Sequence, residues 1–126
     1  MSALFLIGRI LFVLIFVGSG MGHFTNPGMV QYAESKGVPA AKLMVWLTGL
    51  AMILGAVSIL LWRYVEVGTW LIVAFLLTAA FKVHDFWAVQ DPMQKQVEMA
   101  QFMKNLSMAG AAIVFYALHQ DPGLLG

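Results

Sequence analysis

The chain has 126 residues, of which 61% are hydrophobic and 10% charged, against about 45–50% and about 25% in an ordinary soluble domain. At a mean hydropathy of +0.85, a water-soluble monomer of this size would leave large apolar patches facing water, which excludes soluble, disordered, nucleic-acid-binding and multidomain proteins. Seven basic and six acidic residues leave a net charge of +1, so no polyanionic partner is implied, and the absence of cysteine removes disulfides, thiolate metal sites, iron–sulfur clusters and dithiol relays.

Four apolar stretches approach the roughly 20 residues that cross a bilayer as a helix. The first runs from Ala3 to Met21, interrupted only by Arg9. Its one positive charge lies inside the apolar run and no cleavage-type small-residue motif follows, so it is expected to be a retained span rather than a signal peptide. A long loop follows, broken by Asn26-Pro27-Gly28 and Gly37-Val38-Pro39; residues 29–36 between the breaks suit a short interfacial helix. The second span, residues 43–62, carries no charge until the tight turn Arg63 to Glu66. The third, residues 67–87, gathers Lys82, His84 and Asp85 in its last turns. Asp91-Pro92-Met93-Gln94 then reads as an N-cap, a proline at N1 and a glutamine at N3. A fourth helix is therefore expected over residues 92–118, standing about two turns proud of the membrane and entering it near Phe102.

Irregular backbone cannot face lipid. The fold expected is an all-α integral membrane four-helix bundle of antiparallel up-and-down topology with short interfacial helices, forming one four-span domain. Trp62 and Trp70 on one face, and Trp46 and Trp87 on the other, read as aromatic belts. Both termini then share one side, A, with Arg9 and Arg63. Side B holds Lys36, Lys42, Lys82, Lys95 and Lys104, and is expected to be cytoplasmic under the positive-inside rule, with loops 22–42 and 88–101. Candidate packing seams are Gly18 and Gly22 in the first helix, Ala51 and Gly55 in the second, Ala74, Thr78 and Lys82 in the third, and Ser107, Gly110 and Ala111 in the fourth. The glycines also suit a homo-oligomer.

In so uncharged a chain each ionisable residue within a span is a functional candidate. Side B collects His23, Lys82, His84, Asp85, Lys104 and Asn105. Lys82 and Asp85, three residues apart, are placed to pair; the alternative for Lys82 and Lys104 is to snorkel to the headgroups, and for Asn105 to bridge helices. On side A, Arg9 lies deep enough to need a buried partner, with Glu66 or a helix carbonyl the candidates, while His119 reads as a solvated tail residue. No histidine or carboxylate spacing supports a di-iron or other metal site, and haem would rest on His23 and His84 at the rim. A quinone site asks less: an apolar slot, aromatic walls and one or two donors, which Phe81, His84, Phe86, Trp87 and Phe102 would supply. The nine methionines read as flexible packing rather than a copper site.

These motifs resemble, in order along nearly the whole chain, the DoxX family of small four-span membrane proteins. Gly8-Arg9 opens the first helix and Ser19-Gly20 closes it; Tyr32, Gly37 and Pro39 mark the loop, Gly49 and Gly55 the second helix. His84-Asp85-Phe86-Trp87, Asp91-Pro92 and Phe102-Met103-Lys104-Asn105-Leu106 leading to Gly110 carry the most specific part. One departure is Met52, near where many relatives have a glutamate, so no role of that acid transfers. The resemblance implies a place in a bacterial inner membrane, as a subunit or accessory beside quinone-linked redox chemistry in a larger complex. On that reading His23, Phe81, Lys82, His84, Asp85, Trp87, Lys104 and Asn105 would contact quinone or lipid. The other readings are an assembly factor without chemistry of its own, and a small-solute or proton transporter using Arg9 and the Lys82–Asp85 region. No nucleophile–base pair marks an enzyme acting alone.

Overall fold

The computed structural model describes residues 2–125. It is all-helical, with α1 (Ala3–Thr25), α2 (Pro27–Ser35), α3 (Ala41–Leu61), α4 (Val65–Lys82) and α5 (Pro92–Gln120), and 3₁₀ turns at Phe86–Ala88 and Pro122–Leu125. Three segments are long and apolar enough to cross a membrane: Ala3–Thr25, Ala41–Leu61 and Val65–Ala88. The expected fourth, in α5, is not among them. That helix has 29 residues and carries Lys95, Glu98 and Lys104 in its first half.

Local chemistry explains most helix ends. α1 starts where the Ser2 hydroxyl accepts from Phe5 N–H at 3.2 Å. It runs past Met21, the expected end, and stops only where Pro27 forces Asn26 out of helical geometry. Asn26 then caps α2, its side chain accepting from Gly28 N–H at 2.9 Å. Gly37, at φ 74°, closes α2 in the left-handed conformation that favours glycine. α5 begins as the sequence motif indicates, with Asp91 accepting from Gln94 N–H at 3.0 Å and Pro92 in the first turn.

α4 corrects the expected helix over residues 67–87. It ends at Lys82, where Val83 and His84 N–H both bond Ala79 C=O. The chain then leaves the helical path, which delivers His84 to α5 and packs Phe86 and Trp87 around Phe102 at 5.4 and 5.7 Å.

The helices pack α1 on α3, α3 on α4, and α4 on α5, with α2 laid across the start of α3. Two glycine crossings set the closest approaches. A Cβ on Gly49 would lie 2.7 Å from His23 Cβ and 3.0 Å from Gly20 C=O; one on Gly55 would lie 2.6 Å from Ile72 and 2.9 Å from Gly68 C=O. The expected α1 seam is thus displaced: Gly18 has open space beside it, as does Gly110, while Gly20 makes the contact. Small residues pack only where a neighbouring backbone arrives, and spacing alone does not say which face that is. The core comprises Val13 and Phe16 of α1, Met52, Ala56 and Ile59 of α3, Ile72 and Leu76 of α4, and Ala109 and Ala112 of α5. Outward faces are apolar and exposed, as at Leu11, Leu14, Leu54 and Val67.

Arg9 is 7% exposed and donates to Leu60 C=O at 2.7 Å and Ile59 C=O at 3.4 Å. Its guanidinium lies 5.0 Å from the Phe5 ring and 5.3 Å from Trp62. The buried cation therefore finishes α3: it satisfies the Leu60 carbonyl, which the last turn leaves without a backbone donor, joins Trp62 N–H on the Ile59 carbonyl, and faces the negative end of the helix dipole. Glu66 is not its partner and is not buried. Its side chain is 51% exposed and accepts from Gln120 Nε2 at 2.8 Å. His119, expected to be solvated, packs its ring 5.4 Å from Trp62.

Candidate functional site

At the end of the molecule where α1 and α4 finish and α5 begins lies a cavity of about 640 Å³, within the roughly 300–1,000 Å³ range of small-ligand sites. Its deep walls are apolar, with Phe16, Val45, Met52, Phe75 and Leu76 contributing. Its polar lining includes His23 from α1, Tyr32 from α2, Lys82 and His84 at and beyond the end of α4, and Lys104 and Asn105 from α5. Five of the eight residues expected at a ligand site therefore share one cavity: His23, Lys82, His84, Lys104 and Asn105. Phe81, Asp85 and Trp87 are not in its lining. Phe81 and Trp87 instead join Phe86 and Phe102 in an aromatic cluster, where Phe81 and Trp87 are 58% and 52% exposed. Phe81 is turned about 100° around α4 from its neighbour Lys82, which lines the cavity.

Behind the lining sits Glu98, 6% exposed, which the sequence reading passed over. Both its oxygens are engaged: Oε1 accepts from the Tyr32 hydroxyl and Oε2 lies 2.7 Å from His84 Nδ1. A buried carboxylate is tolerable only when paired and hydrogen-bonded, and here one partner comes from α2 and the other from the segment after α4. The sequence did hold a signal. Glu98 lies seven residues before Asn105, hence on the same helix face, and that face continues through buried Ala109 and Ala112.

Around this centre the remaining polar groups are fixed. Asp85, expected to pair with Lys82, accepts instead from Lys36 Nζ at 2.6 Å. Lys82 stands on the helical face three residues earlier, but the chain turns after it and carries Asp85 towards α2. Asn105 Nδ2 reaches Leu76 C=O at 3.3 Å, bridging α5 to α4. Lys104 donates to Gln101. His23 bonds Ser19 C=O through Nδ1 at 2.6 Å, leaving Nε2 unused by that contact.

Burial, then the hydrogen bond to Glu98 and the charges of Glu98 and Asp85, push the Tyr32 phenol well above its ordinary value of 10.0. The phenol therefore keeps its proton and stays a donor to Glu98. Because the folded value is raised, this contribution to stability is complete below the unfolded value and is lost as pH rises beyond it. Absorbance titration is expected to show no tyrosinate from Tyr32 near pH 10, as the difference between wild type and Tyr32→Phe; unfolding in SDS should release it.

Among the described residues no group of three or more His, Asp or Glu side chains is placed to hold a metal ion. A family model described as DoxX matches residues 4–85. The matched stretch covers α1 to α4 and ends at Asp85, so Glu98 and the Phe102–Leu106 motif lie outside it. No curated protein and no solved structure matches the chain. With the match extending over more than half of its residues, this membrane protein belongs to the DoxX family.

Proposed function

We propose that the chain is a four-span antiparallel bundle and serves as a small membrane subunit or accessory of a quinone-linked redox complex, receiving a quinone ring in the cavity. The second half of α5, from Phe102 to Leu118, makes the fourth crossing; the exposed Met103, Ile113 and Val114 give it an apolar outer face. The single observation that carries the ligand reading is the cavity itself, apolar in depth and polar at one end. The residues fit the group. Phe16, Phe75 and Met52 would hold an apolar ring or isoprenoid tail, and His84, Lys104 and Asn105 would meet its oxygens. A quinone there would supply two-electron carrier chemistry to the partner complex. The protein's own part is to bind, orient and exclude bulk water. Membrane lipids and a larger redox complex are the partners on this reading.

Protein purified into phosphatidylcholine nanodiscs is expected to bind a short-chain benzoquinone, followed by tryptophan quenching. Ala79→Phe, which fills the cavity, should weaken binding about tenfold or more, roughly 1.4 kcal/mol. A gently extracted native complex should carry quinone and oxidoreductase chains by mass spectrometry. Quinone-free extracts, with binding unaltered by Ala79→Phe, would leave assembly without ligand chemistry as the function.

A further inference from the structure

Resting on the reading of the cavity as a ring-binding site, we propose that His84, oriented by Glu98, is a proton acceptor for a hydroxyl on that ring, so that the site takes quinol- or phenol-class ligands and holds them as the anion. Tyr32 donates to one Glu98 oxygen, and the other lies 2.7 Å from His84 Nδ1. With both oxygens accepting, the His84 proton sits on Nδ1 and the tautomer is fixed by its partner. Nε2 is then the position at which the ring gains or loses a proton. Tyr32 and His84 line the cavity while Glu98 lies behind them, an arrangement in which a buried carboxylate fixes a histidine and the histidine meets the ligand.

The step balances without an electron. The ligand's O–H bond breaks, its electron pair stays on oxygen, and an N–H bond forms at Nε2. The positive charge gained by the ring lies against Glu98, and the negative charge left on the ligand faces the ammonium groups of Lys82 and Lys104, which line the same cavity. His84's side chain is 20% exposed, giving the proton an exit to water. The other titratable groups around it are Lys36 and Asp85, which neutralise each other at 2.6 Å, and His23 on α1. His23 lacks the carboxylate: its Nδ1 partner is the neutral Ser19 carbonyl. That difference singles out His84.

The test uses an alkyl nitrophenol, yellow only as the anion, bound to the full chain in phosphatidylcholine nanodiscs, whose zwitterionic lipids leave little surface charge to shift its ionisation. Wild type is expected to ionise the bound probe about one pH unit lower than empty nanodiscs do, a tenfold change in its acid constant. His84→Gln, whose amide can still donate to Glu98, should abolish most of that shift, and Glu98→Gln should reduce it. Benzoquinone should displace the probe. A probe that binds, is displaced by benzoquinone, yet ionises as in empty nanodiscs overturns the proton-acceptor role and leaves the cavity reading standing. A shift undiminished in His84→Gln assigns the effect to the two lysines and also overturns it. Failure of both probe and benzoquinone to bind overturns the ring-binding reading together with this one.

Discussion

Replacing Glu98 by alanine is expected to destabilise the protein by roughly 3 kcal/mol, the scale for removing one partner of a buried charged network. The substitution leaves the Tyr32 hydroxyl and His84 Nδ1 without their acceptor. It also unties three parts of the chain at once, because Tyr32 sits on α2, Glu98 on α5 and His84 on the segment after α4. The global loss is measurable by SDS-titrated unfolding in mixed micelles, and the local loss by faster amide exchange in α2. Glu98→Gln keeps an acceptor and the shape of the side chain, so a cost of about 1 kcal/mol is expected. Lys36→Met gives the contrast. Its ion pair with Asp85 has side chains 16% and 26% exposed, and such a pair contributes under about 1 kcal/mol. If Glu98→Ala costs no more than Lys36→Met, Glu98 is not the tie between these segments.

Gly55→Val is the second large effect expected, about 3 kcal/mol in the same assay, the upper range for overpacking a close contact. The new Cβ alone would lie 2.6 Å from Ile72 and 2.9 Å from the Gly68 carbonyl. Ile72 is fully buried and cannot swing aside, and Gly68 presents backbone, so α3 and α4 must separate. Gly18→Ala is the matched control, since nothing lies within 4 Å of a Cβ there; a change within about 0.5 kcal/mol is expected. Equal costs at Gly18 and Gly55 would restore Gly18 as a packing position and refute the crossings described above.

The two results bear on function through one geometry. The α1–α3 and α3–α4 crossings fix the apolar walls, and Glu98 draws α2 and the His84 segment together at the cavity's polar end. Loss of the first would collapse or widen the cavity; loss of the second would leave its walls and remove its chemistry.

Much of this was legible residue by residue. Apolar run length identifies α1, α3 and α4 as membrane-spanning candidates, Asp91-Pro92 marks where α5 begins, and Asn26-Pro27 marks the break between α1 and α2. The scarcity of charge draws attention to His23, Lys82, His84, Lys104 and Asn105, which line one cavity. Glu98 escaped notice because α5 projects beyond the apolar stretch, where a carboxylate reads as solvated, although its spacing from Asn105 already put it on the buried face.

Composition and helix signals are local, and the sequence by itself settles them: a membrane protein, all-helical, with few charged residues. Partnership is not local. That Asp85 meets Lys36 rather than Lys82, that Arg9 finishes α3 rather than meeting Glu66, and that Glu98 joins Tyr32 to His84 were decided only by the tertiary structure. These contacts join residues 14 to 66 positions apart, and such pairings depend on which helix faces the packing brings together.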